Sequence, residues 1–183
     1  MQKETAWCNL KASELRQLAT ENAIVVVPIG SIEQHGPHLP VQVDALLAGE
    51  VCRRAAEYMA DSVPVTVTPT IWSGLAEHHM SFGGTLTLDF DTFRSVIRCI
   101  CRWIQQHGFM PIELINDHGG YIATLTVISL TAGRRAMVFT GDTGPDMSAA
   151  AQATRWRVMP AMAARFIQCA TLVIIHCASA STR

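Results

Sequence analysis

Residues 30–44 read GSIEQHGPHLPVQVD and crowd Glu33, His35, His38 and Asp44 into one short stretch. Carboxylates and imidazoles are the side chains that ligate first-row divalent cations. Glu33 and His35 are separated by a single residue, so in an extended segment both leave the same face and approach one ion or two neighbouring ions. Asp44 is within reach of the same point, and His118, in NDHGG, offers a further imidazole from elsewhere in the chain. Carboxylate, imidazole, carboxylate, imidazole is a set suited to zinc, manganese or iron(II). Each residue also has a plainer role open to it. Asp44 reads equally as a helix cap, His38 as a loop histidine and Glu33 as a solvated carboxylate.

Whether these groups meet depends on the elements that carry them. LKASELRQLAT has apolar positions at helical spacing, and AIVVVPI (23–29) is a continuous β-branched run of the kind that fills a parallel strand covered on both faces. DALLAGEVCRRAAEYMA returns to the helical period, with Asp44 where an N-cap would stand, and PVTVTPTIW (64–72) reads as a strand. GLAEHHMSFGGTLTL is too polar and irregular for core structure. After it, DFDTFRSVIRCICRWIQQHG (89–108) is the clearest helix, opening on acidic caps and closing at Gly108. MPIELIN (110–116) is a strand running into DHGG, YIATLTVISLTAG a helix, and AMVFT (136–140) a last strand. This alternation predicts a three-layer α/β/α domain with a mainly parallel central sheet. In such folds the functional loops leave the carboxyl ends of strands, which places EQHGPH and NDHGG on one rim.

A chain of 183 residues, 49% hydrophobic, fills one core and is short for two domains. Its 14 basic and 15 acidic residues give no bias toward nucleic acid or anionic membrane, so a small molecule or another protein chain is the expected partner. The start, MQKETAWCNLKASEL, has no basic segment leading into an apolar one, and no apolar run approaches the roughly 18 residues a bilayer span needs. A cytoplasmic protein is therefore expected. The six cysteines form no CxxC pair and read as reduced, mostly buried thiols, with Cys99 and Cys101 diverging on their helix.

PIGSIEQHGPHLPVQVDALLAGEV closely resembles the signature of the creatininase (creatinine amidohydrolase) family, P-x-G-S-x-E-Q-H-G-P-H-L-P followed by an aspartate. GLAEHHMSFGGTLTL is similar to that family's E-H-x-x-F-P-G-T segment, and ELINDHGGYIATL to its strand ending in N-G-H-G-G-N. The resemblance covers about residues 5–140 in the family's order. It implies a divalent-metal hydrolase, often with a two-ion centre, that cleaves a non-peptide C–N bond in a small cyclic or linear amide. It also implies a homo-oligomer. Carried over by motif position, Glu33, His35, Asp44 and His118 are the metal ligands, Asp44 bridging the ions, with zinc expected ahead of manganese or iron. His79, beside His78, is placed as a substrate-facing group.

The sequence departs from that pattern in places. Asp117 and Tyr121 stand where the motif has glycine and asparagine, and Gly83 where it has proline. The family's later H-A-G-E-x-E-T-S segment corresponds here to GDTGPDMSAA, which has no histidine; Asp142 and Asp146 are the carboxylates available there. His176 lies in an apolar run and reads as buried structure. From Met147 to Arg183 there is no acidic residue and every basic one is arginine, so the segment from about 141 is atypical. Two functions stay open at this point: an active amidohydrolase, or a non-catalytic relative that binds metal, ligand or a partner without turnover.

Overall fold

The computed structural model describes residues 3–118 and the strand at 136–140. Seven elements are labelled here in chain order: α1 (Ala12–Thr20), β1 (Ile24–Ile29), α2 (Val43–Met59), β2 (Val65–Val67), α3 (Phe90–Gln106), β3 (Ile112–Asn116) and β4 (Ala136–Thr140). The strands pair in the order β2-β1-β3-β4, all parallel. Helices cover both faces, giving the expected three layers.

The unbroken apolar run of β1 follows from its central place. Val25, Val27 and Ile29 pack with Leu18 of α1 and with Phe93, Ile97, Cys101 and Ile104 of α3. Ile24 and Val26 face the other way, onto Cys52, Ala55, Ala56 and Met59 of α2 and Val65 and Val67 of β2. Full burial of a Val, Ile or Phe side chain contributes roughly 1.5–3 kcal/mol, so these two clusters hold the layers together. The small Ala55 and Ala56 let α2 lie close on the sheet. Asp89 caps α3 as the sequence predicts, its carboxylate accepting from Thr92 N–H at 2.8 Å.

Pro28 lies inside a central strand, which its missing N–H ordinarily forbids. The β2 side has already parted there. Thr68 N–H donates to Val26 O, then Ile71 N–H to Pro28 O and Gly30 N–H to Ile71 O, each at 2.9 Å, with Pro69 and Thr70 stepping outside the ladder. The strand expected over 64–72 is correspondingly short, regular only at Val65–Val67. Cys52 and Cys101 are buried, whereas Cys8 and Cys99 are exposed, so the expectation of mostly buried thiols holds for half of the described ones. The helix expected over YIATLTVISLTAG, together with Asp142, Asp146, His176 and the arginine-bearing tail, lies outside the described residues.

Candidate metal centre

The chain leaves β1 toward β2 on one side and later returns through α3 to β3 on the other side of β1. The loops following β1 and β3 therefore diverge, and the crevice between them at the carboxyl edge is where open α/β sheets place their ligands. Gly30 makes the approach possible. A Cβ there would stand 2.5 Å from Ala45 Cα and 2.6 Å from Ala45 N, so only glycine lets the first turn of α2 rest on the end of β1. Asp44 lies inside that turn rather than at its cap: the helix begins at Val43 after Gln42, and the Asp44 carboxylate turns toward His35 instead of the helix amides.

Glu33, His35 and Asp44 each present a ligand atom within 4.8 Å of the others, and all three are buried or half-buried. His35 Nε2 is 2.8 Å from Asp44 Oδ1, and His118 Nε2 is 2.8 Å from Glu33 Oε2. Both expected rim loops thus meet at one carboxylate. His35 Nδ1 is 3.0 Å from the Glu33 carbonyl, an acceptor only, so Nδ1 carries a proton and Nε2 is the ring atom turned toward Asp44. Ser31 Oγ donates to Glu33 Oε2 at 2.9 Å, and Asn116 clamps the His118 backbone from both sides, Nδ2 donating to His118 O at 2.7 Å and Oδ1 accepting from His118 N at 3.3 Å. Mixed imidazole and carboxylate donors, held by a second set of hydrogen bonds, fit a divalent cation.

The electrostatics agree. Burial pushes the Asp44 carboxyl above its usual range, with His35 pulling it back. Burial opposes a charge on His35, but the Glu33 carbonyl and Asp44 outweigh it and raise its pKa. Carboxylate and imidazole therefore hold a proton between them that a cation would replace.

Other residues singled out from sequence have mixed fates. His79 does join the site: its Nε2 is 3.4 Å from Glu33 Oε1 and its Nδ1 3.1 Å from Gln34 Nε2. The His78 ring centroid is 4.0 Å from that of His79 and 6.4 Å from that of His118. His38 is exposed and not among the clustered ligands. Asp117 stands beside the centre; burial, with the Asp44 charge adding and His35 opposing, pushes its carboxyl up to about 7, and its Oδ2 is buried with no hydrogen-bond partner. Sequence reasoning missed Ser31 and Asn116, which hold Glu33 and the His118 backbone, and Gln34, which holds His79. Their signal was position alone, next to or between the ligand residues.

A family model described as Creatininase: Creatinine amidohydrolase matches residues 8–182. The chain is similar to the mycofactocin precursor peptide peptidase of Mycobacterium tuberculosis (strain H37Rv), 31% identical over 120 residues, which is 60% of this chain and 46% of that protein. It is likewise 31% identical over 120 residues to the creatinine amidohydrolase of Pseudomonas putida, covering 63% of this chain and 43% of that protein. The chain thus spans about half the length of the curated relatives it matches. A creatininase described as its Mn form superposes with a TM-score of 0.68 at 25% identity, over 75% of this chain and 58% of that one.

Proposed function

Because this chain belongs to the creatininase family, we propose that it is a metal-dependent amidohydrolase that cleaves a non-peptide C–N bond of a small cyclic or linear amide. The observation that carries the reading is the meeting of Glu33, His35 and Asp44 with His118 across two separate loops. These four residues hold at least one divalent ion. Zinc suits the imidazole and carboxylate donors, and manganese or iron(II) would be accepted by the same atoms; manganese gains support from the related creatininase in its Mn form.

Such an ion supplies acidity, toward water and toward the carbonyl oxygen under attack. The protein's own residues do the rest. His35 keeps its proton on Nδ1 through the Glu33 carbonyl and turns Nε2 inward. Asn116 fixes the backbone of His118, and Ser31 steadies Glu33. His79, near the Glu33 oxygen that His118 does not contact, would meet the substrate. The departing nitrogen must receive a proton, so a general acid completes the reaction.

The chain acts as one domain with an atypical closing segment from about residue 141, in the cytoplasm. No helix of the described residues is long and apolar enough to cross a membrane. Leu39, Leu46, Leu47 and Phe82, large and exposed on segments flanking the centre, support a homo-oligomer. The second reading, a relative that binds without turnover, is favoured by the GDTGPDMSAA departure. Metal-loaded protein offered a panel of cyclic amides, formamides and creatinine separates the two. Turnover supports the hydrolase; ligand binding without turnover supports the alternative.

A further inference from the structure

We propose that Gln34, set between two ligand positions, fixes His79 in its Nε2–H tautomer and so makes that imidazole a hydrogen-bond donor to substrate rather than a ligand of the ion. The substrate part rests on the hydrolase reading; the tautomer does not.

The chain of contacts admits one assignment. Gly36 N–H donates to Gln34 Oε1 at 2.9 Å. A backbone N–H cannot accept, so this contact identifies which end of the amide is oxygen. The other end, the amide nitrogen, is then the atom 3.1 Å from His79 Nδ1. An NH2 group only donates, so Nδ1 accepts, and a neutral imidazole accepting at Nδ1 carries its proton on Nε2. That Nε2–H is 3.4 Å from Glu33 Oε1, longer than an N–H···O bond of good geometry, so the carboxylate does not consume it. Thr85 Oγ1, donating to the His79 carbonyl at 3.3 Å, steadies the backbone that carries the ring.

His35, whose Nε2 meets Asp44 rather than Glu33, is in the opposite state. Its Nδ1 faces a carbonyl and keeps the proton, which leaves the Nε2 lone pair for an ion. The Nδ1 partner alone, a carbonyl for one ring and an amide NH2 for the other, separates ligand from donor. With its lone pair engaged by Gln34, His79 has none to offer a cation. Its Nε2–H lies beside Glu33 and, under the hydrolase reading, would donate to an amide oxygen gathering negative charge.

Long-range 1H–15N correlation spectra of the full chain loaded with diamagnetic zinc read each imidazole's tautomer without substrate. His79, assigned by the signals lost in His79→Gln, is expected to show a bare Nδ1 and a protonated Nε2. Gln34→Glu keeps an acceptor for Gly36 N–H and places a second acceptor at Nδ1, so the tautomer should invert. Gln34→Leu should populate both forms and lower kcat about tenfold or more on any substrate found, with zinc per chain unchanged. A wild-type His79 protonated on Nδ1 or bound to zinc overturns the proposal, as does a Gln34→Glu spectrum still showing Nε2–H. If the Gln34 variants do not fold, the wild-type spectrum decides. If the chain takes up neither zinc, manganese nor iron(II), the hydrolase reading fails while the metal-free spectrum still decides the tautomer.

Discussion

His118 Nε2 stands 2.8 Å from Glu33 Oε2, tying the end of β3 to the loop that leaves β1 across the point where the strand order reverses. Neither loop alone carries all four side chains. The parallel pairing of β1 with β3, in register from Val25↔Ile112 to Ile29↔Asn116, brings them together, and Asp117 N–H donating to Ile29 O at 3.0 Å extends the pairing to the edge of the site. The centre is a consequence of sheet order.

Replacing His35 with alanine removes the one imidazole of the close three-residue cluster. Bound divalent metal, measured by elemental analysis after reconstitution, should fall to below about one tenth of the wild-type content. The far-ultraviolet circular dichroism should stay unchanged, because His35 lies outside both core clusters.

Asn116 touches no proposed substrate and ligates nothing, yet it holds both backbone groups of His118. Asn116→Ala should weaken metal binding about 10–100-fold, the usual effect of losing an orienting partner, as read by competition against a chelator of known affinity. An affinity equal to wild type would show that the clamp does not position the ligand.

Much of this was legible in the sequence, because period and composition report burial directly. The β-branched run of β1, the amphipathic α3 with its Asp89 cap, and AMVFT as β4 appear where their patterns place them. Less legible was the span after Val67, where Pro69 and Thr70 leave the ladder although the composition still reads as strand. Glu33, His35, Asp44 and His118 could be named because ligand residue types stand out. The roles of Ser31, Gln34 and Asn116 could not, since a neutral polar side chain shows its purpose only through its partner. Asp44 shows the converse: its position suits a cap, but its carboxylate is drawn to an imidazole.

Glu113 faces the α2 side of the sheet, buried, with Oε2 lacking any hydrogen-bond partner. Burial pushes its carboxyl from about 4.5 up to about 8. Between those values the unfolded chain releases the proton while the folded chain keeps it, so this group lowers stability as pH rises through that window and adds no further slope above it. Glu113→Leu should reduce that slope in denaturant melts, leaving the part that Asp117 contributes, and raise stability at pH 8 by about 1–3 kcal/mol, the scale of a buried polar group left unpaired. A slope identical to wild type would place the titration elsewhere.

Gly30→Ala drives a methyl group against the Ala45 backbone, so the first turn of α2 must move. Overpacking of this kind costs about 1–3 kcal/mol, measurable by urea unfolding. Because Asp44 rides on the displaced turn, metal affinity should fall as well, although Gly30 carries no ligand atom.

The most direct test is an anomalous difference map from crystals of the protein grown with zinc or manganese. A peak is expected within coordination distance of Glu33, His35, Asp44 and His118. A map with no peak among those side chains, or one in which the imidazoles of His35 and His118 turn away from the two carboxylates, would contradict the account at its centre.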